Sequence, residues 1–213
     1  MTKEVFPGTC RGVRRGECLT NCSGDRGGRR YNAFTLIELI VVVGIIIVLT
    51  GLVLSTVGYA RKKGARARAE TEIAAMSAAC ESYKADNGVY PQQASSTDML
   101  NARLSGSPST YQTASLYLYE QLSGDSSGNR NPTGKSYMTF KPNMLFPADQ
   151  TLNVLYIQDP FGNSYGYSTI QAATQNTTLG YNPTFDLWST VGLTSDPPPS
   201  GTDTITPQWI KNW

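Results

Sequence analysis

One carboxylate stands alone in an apolar run. From Phe34 to Leu54 the chain reads F-T-L-I-E-L-I-V-V-V-G-I-I-I-V-L-T-G-L-V-L, 21 residues with a single charge, Glu38. A carboxylate inside a bilayer costs on the order of 3 kcal/mol, so Glu38 needs a cationic partner, a proton, or a side-chain path to the water interface. The rest of the chain is poor in catalytic groups. It has no His, which removes the usual general base, the Ser-His-Asp triad and most zinc sites. Cys10, Cys18 and Cys22 are spaced C-x7-C-x3-C, a poor zinc pattern without a histidine partner. Gly128, Gly134, Lys135 and Ser136 approach the G-x-x-x-x-G-K-[ST] phosphate-loop pattern, with five residues rather than four between the glycines. A working phosphate loop follows a buried strand and opens a helix, whereas here polar loop precedes and strand-like Y-M-T-F follows. Asp125 and Asn129 with their glycines suggest a calcium loop but lack the alternating acids and closing Glu of an EF-hand. These residues give no convergent nucleophile and base, so an enzyme is not expected.

The element that carries Glu38 is a helix. At about 1.5 Å per residue, Phe34–Leu54 covers the ~30 Å hydrocarbon core of a bilayer. Before it, residues 1–33 hold seven Lys/Arg against three acids, and the other 180 residues hold eleven against thirteen. The basic excess therefore belongs to a short Gly/Arg-rich leader, and the remainder carries no nucleic-acid footprint. Arg61, Lys62, Lys63, Arg66 and Arg68 crowd the far end of the span, so the positive-inside rule is nearly balanced between its two ends.

Beyond the span the helical pattern continues to about Asp86. Ala69, Ile73, Met76, Cys80 and Tyr83 form one apolar stripe, with Arg66–Glu70 and Arg68–Glu72 as i,i+4 pairs on other faces. Cys80 falls on the stripe as a small apolar residue. Asn87-Gly88 supplies a stop and Pro91 prevents resumption. A helix from about Thr35 to Asp86 would be ~78 Å long. Gly44, Gly51 and Gly58 recur every seven residues, where neighbouring helices could approach closely. The head that follows is polar, with short helices expected at Asp98–Leu104 and Ala114–Leu122. Strands are expected at Tyr137–Phe140, Val154–Ile157 and Tyr165–Thr169, the last two flanking the turn Q-D-P-F-G-N-S. Only Cys80 lies beyond the leader, so the head is held by packing or by a metal rather than by a disulfide of its own.

Five motifs together resemble one family. N-A-F-T-L-I-E-L-I-V-V-V is similar to the processing site of type IV pilins and type II secretion pseudopilins. Y-K-A-D-N-G-V-Y-P, D-P-F-G-N-S-Y-G-Y, F-D-L-W-S-T-V-G and the closing W-I-K-N-W resemble, in order, the turn, hairpin, last strand and ending of the major pseudopilins. The resemblance implies removal of the leader between Ala33 and Phe34 by an inner-membrane prepilin peptidase, which then methylates the new amine of Phe34. Ala33 stands where the family usually has Gly. Apart from the resemblance, the cost of a lone carboxylate in a bilayer makes the Phe34 amine freed by cleavage the expected partner of Glu38, within one subunit or from an adjacent one, where the pair would set the register of assembly. In the family, the loop corresponding to S-D-P-P-P-S-G-T-D-T binds calcium, which makes Asp196 and Asp203 the expected Ca2+ ligands, together with backbone carbonyls.

The expected fold is α+β, a pilin-like ladle. A long amino-terminal helix, transmembrane then amphipathic, packs its outer half on a small antiparallel β-sheet. The expected divisions are a cleaved leader (1–33), an assembly helix (34–57), an amphipathic half (58–88) and a periplasmic head (89–213) with a longer insertion at about 92–147. The resemblance implies a structural subunit of a periplasmic pseudopilus in type II protein secretion. It would be a single-pass inner-membrane protein with its amino terminus cytoplasmic before cleavage. Its partners would be the peptidase and methyltransferase, further copies of itself, minor pseudopilins and an inner-membrane assembly platform, with no nucleic acid. The alternative is a type IV pilus subunit for adhesion, motility or DNA uptake. Such pilins commonly close the carboxyl-terminal region with a cysteine pair, which this chain lacks beyond its leader.

Overall fold

A computed structural model describes residues 34–104, 106–193 and 208–213. The chain divides into two compact units, Met1–Val48 and Leu49–Trp213, with the division inside one helix. That helix, α1, runs from Leu36 to Asn87. The absence of any proline from Phe34 to Val89 lets its backbone ladder run unbroken. It ends at Gly88, whose positive φ of 78° suits glycine and whose amide donates to the Lys84 carbonyl at 2.7 Å.

In the first unit the described residues are the opening of α1, and their apolar side chains lie uncovered, from Phe34 through Val48. In the second unit the stripe on α1 is the floor of the head. Ala69, Ile73, Met76 and Cys80 are buried as their spacing predicts, joined by Ala79, while Tyr83 packs at the margin. Over them lie Leu118, Tyr119 and Leu122 of α2 (Gln112–Ser123). Two small antiparallel sheets complete the head. One pairs β1 (Leu145–Phe146) with β2 (Tyr156–Ile157), and the other has the order β3-β4-β5, built from Gly166–Ser168, Asp186–Ser189 and Ile210–Lys211. A one-turn helix, α3 (Ile170–Thr174), follows β3.

A second cluster forms around Trp188 of β4, with Leu100, Tyr111, Ala114 and Trp209. The chain's last residue, Trp213, stacks on Tyr181 with centroids 4.7 Å apart and rings inclined by 2°. Thus W-I-K-N-W supplies an edge strand and two rings that close this cluster.

Several details differ from expectation. The single sheet is two, because the Q-D-P-F-G-N-S turn connects strands of different sheets, with only a bridge from Gln158 to Ser164 between them. Tyr137–Phe140 is not a strand. The amides of Tyr137 and Met138 are both taken by the Leu122 carbonyl at the end of α2, so no ladder partner engages them. Asp98–Leu104 forms turns rather than a helix, since Asn101 folds its side chain onto the Arg103 amide at 2.9 Å. The second strand candidate shortens to Tyr156–Ile157 because Val154 gives its amide to the Gly128 carbonyl.

Candidate functional site

The opening turn of α1 holds the most specific chemistry. Thr35 and Glu38 form a reciprocal cap. The Thr35 amide donates to Glu38 Oε2 at 2.9 Å, the Thr35 hydroxyl donates to the same oxygen at 2.8 Å, and the Glu38 amide donates to Thr35 Oγ1 at 3.3 Å. This is the capping box of a T-x-x-E sequence, typically worth about 1 kcal/mol to a helix. The signal stands in the sequence as Thr35-Leu36-Ile37-Glu38, but the lone-acid reading of Glu38 masked it. Its consequence is positional. Glu38 already reaches back along the helix to the amide one residue after Phe34. Cleavage before Phe34 would place an ammonium on the residue just before Thr35. Ala33 lies outside the described residues, and Phe34 begins them.

A second polar group fixes the head on α1. Glu72 is buried, not solvated as its place beside the stripe suggested. Its Oε1 accepts from Arg68 Nε at 2.6 Å and its Oε2 from the Tyr165 hydroxyl at 2.7 Å. Both carboxylate oxygens are thus satisfied, which removes most of the penalty of burial. Burial, then the hydrogen bond to Glu72, push the Tyr165 hydroxyl well above its ordinary range. Arg68 also donates to the Asn143 carbonyl at 3.3 Å, and Arg66 to the Gln208 carbonyl at 2.7 Å. Glu72 lies three residues after Ala69 and four before Met76, so the helical period puts it on the buried face. Its partner, 93 residues away, has no local signal. Cys80 is fully buried on the same floor, and desolvation pushes its thiol far up, consistent with a packing role.

Three buried aspartates organise the loops. Asp125 accepts from the amides of Ser127, Asn129 and Arg130 and from the Tyr119 hydroxyl. Burial and Asp125 together push Tyr119 up to about 12. The calcium-like and phosphate-loop patterns therefore belong to a self-satisfied loop. Its Lys135 is paired with Asp86 at the end of α1, and no helix opens at Ser136. Asp159 accepts from the amides of Phe161 and Asn163, both at 2.9 Å, and from Ser189 Oγ at 2.6 Å. Burial raises the Asp159 carboxyl above the usual carboxylate range, against the downward pull of those three donors. Asp186 is shifted upward for the same first cause, and accepts from the amides of Tyr181 and Asn182.

Asp196 and Asp203 lie outside the described residues. Among the described residues no group of three or more His, Cys, Asp or Glu side chains could hold a metal ion. The described acids nearest in sequence, Asp159 and Asp186, are committed to loop amides as above.

Residues 56–142 match the family described as Type II secretion system (T2SS), protein G. Three curated proteins named type II secretion system core protein G are similar to part of the chain. The one from Pectobacterium carotovorum subsp. carotovorum is 36% identical over 74 residues, covering 35% of this chain and 47% of that protein. The Aeromonas hydrophila protein is 32% identical over 80 residues, 38% of this chain and 56% of its own length. The Vibrio cholerae protein is 38% identical over 63 residues, 30% and 43% respectively. The chain thus spans about half the length of the curated relatives it matches. No solved structure matches it.

Proposed function

We propose that this chain, a relative of the type II secretion protein G family over its residues 56–142, is a repeating structural subunit of a periplasmic pseudopilus. One observation carries the reading. A single helix has an apolar first half that lies uncovered among the described residues, and a second half that is the floor of a packed head. An uncovered apolar half is suited first to lipid and then to neighbouring copies of itself, which is what storage in a membrane followed by polymerisation demands. The chain inserts once in the inner membrane, loses its leader between Ala33 and Phe34, and assembles through α1 with minor subunits and a membrane platform. Mass spectrometry of the envelope-borne protein, together with cross-linking between cysteines introduced at Val43 and Val48, tests this. The expected result is a chain starting at N-methylated Phe34 and a ladder of cross-linked multimers. An intact Met1 terminus with only monomers would overturn the reading.

Calcium belongs to the same proposal. Asp196 and Asp203, seven residues apart around three prolines, would hold it with main-chain carbonyls. The ion would add stability to a domain whose one cysteine among the described residues, Cys80, is buried and forms no disulfide. A ligand at a hundred times its Kd adds about 2.7 kcal/mol. For a chain of this size that corresponds to a Tm rise of roughly 5–10 °C. The full-length protein in detergent, followed by tryptophan fluorescence, should show that rise with calcium but not with magnesium. Asp196→Ala should abolish it, and an unchanged Tm with calcium would remove the ion from the account.

A further inference from the structure

The five cations at the far end of the apolar run divide into two groups. Arg66 and Arg68 are spent inside the head, on Glu70, Glu72 and the carbonyls of Gln208 and Asn143. Arg61, Lys62 and Lys63 are exposed on α1, and among the described residues no carboxylate pairs with them. No acid stands three or four residues to either side of any of the three, and Glu70, the next acid along the chain, is already held by Arg66. The aromatic ring of Tyr59, itself exposed, lies beneath Lys63, with the ammonium 5.6 Å from the ring centroid.

From these residues we propose that Arg61, Lys62 and Lys63, with Tyr59, form a collar that binds the headgroups of anionic phospholipids where α1 leaves the bilayer. The proposal rests on the reading of the preceding apolar run as a membrane span. Three features select this partner. The first is position. Arg61 stands seven residues beyond Leu54, about 10 Å along the helix, and the polar layer on each side of a bilayer is roughly 5–8 Å thick. The second is direction. Side chains of a helix lean toward its amino-terminal end, and here that end is the membrane, so long cationic side chains at 61–63 lean back into the headgroups. The third is distribution. Successive residues are about 100° apart, so the three charges fan over more than half the helix circumference. A docking protein would meet one face, whereas lipid surrounds the helix. An interfacial tyrosine beside basic residues suits that depth.

Full-length protein reconstituted into phosphatidylcholine vesicles, with spin-labelled phosphatidylglycerol or spin-labelled phosphatidylcholine as the reporter lipid, tests the collar. The motionally restricted fraction of each label reports contact with the helix. Phosphatidylglycerol should be preferred roughly fivefold, the factor equivalent to about 1 kcal/mol of headgroup attraction. The preference should fall toward parity in 0.5 M salt and in the Arg61→Gln, Lys62→Gln, Lys63→Gln variant. Equal restriction of the two labels by the unaltered protein, or an unchanged preference in the variant, would overturn the collar while leaving the span intact. No restricted component of either label would instead remove the span on which it rests. Inorganic phosphate at matched ionic strength should act only as chloride does. A selective loss of preference with phosphate would mean a free-phosphate site and would overturn the lipid assignment.

Discussion

Replacing Gly166 by alanine should lower the Tm of the full-length chain by about 10 °C, the equivalent of ~3 kcal/mol for a chain of this length. A Cβ at Gly166 would lie 2.1 Å from Trp188 Cε2 and 2.3 Å from Cζ2, far inside any real carbon contact. The two residues are register partners in the β3–β4 ladder, so the indole lies across the glycine. The ring has nowhere to go. Trp188 is fully buried, with Tyr111 at 5.3 Å and Trp213 at 6.2 Å between ring centroids. Overpacking at such a site forces backbone or rotamer strain. A double-mutant cycle separates this clash from a general weakness of the strand. Trp188→Leu alone should be costly because it empties a packed site. With alanine at 166 in addition, part of that space is refilled, so the two costs should fall short of their sum by more than 1 kcal/mol. Strict additivity would show that the indole is not what excludes a side chain at Gly166.

The same pair shows how far the sequence could be read. Helix α1 was legible nearly to the residue because its signals are local. A 3.6-residue stripe, an unbroken run without proline and an Asn-Gly stop all act within a few residues of one another. Gly166 was visible only as part of D-P-F-G-N-S-Y-G-Y; its reason is Trp188, a partner brought opposite by a ladder rather than by sequence proximity. Tyr137–Phe140 failed for a related cause. Its alternation suits a strand, but the end of α2 took its first amides, and local propensity has no view of such competition. Glu72 was misplaced because an acid beside an i,i+4 arginine is usually a solvated pair. What made it a buried clamp was Tyr165. Of the site residues, Glu38 stood out by its charge alone, whereas Ala33 and Phe34 rest on the resemblance to a processing site. The capping box was also written there, in four consecutive residues. Asp196 and Asp203 rest on the resemblance and their spacing.

Glu38→Leu should abolish assembly while leaving membrane insertion intact, lowering cross-linked multimers by at least an order of magnitude. The capping box makes that variant ambiguous by itself, because leucine removes both a charge and a cap. Glu38 serves Thr35 through two hydrogen bonds that glutamine can also accept, and a capping box accepts Gln as readily as Glu at this position. Glu38→Gln therefore keeps the helix start and deletes only the charge. If the carboxylate acts by capturing the ammonium of Phe34 from a neighbour, Glu38→Gln should fail to assemble as completely as Glu38→Leu. An ammonium in hydrocarbon without its counter-ion costs several times what a lost neutral cap does. If the carboxylate matters only as a cap, Glu38→Gln should assemble normally and Thr35→Ala should fail. The cross-linking ladder of the three variants distinguishes the cases in one experiment. Normal assembly by Glu38→Gln would sink the ion-pair account. The carboxylate is folded back toward the residue that cleavage would make the amino terminus, and a second copy would present the same ammonium at the same depth. Exchanging its own cap for a neighbour's ammonium would let Glu38 hold the helix start in the stored subunit and set the register in the filament.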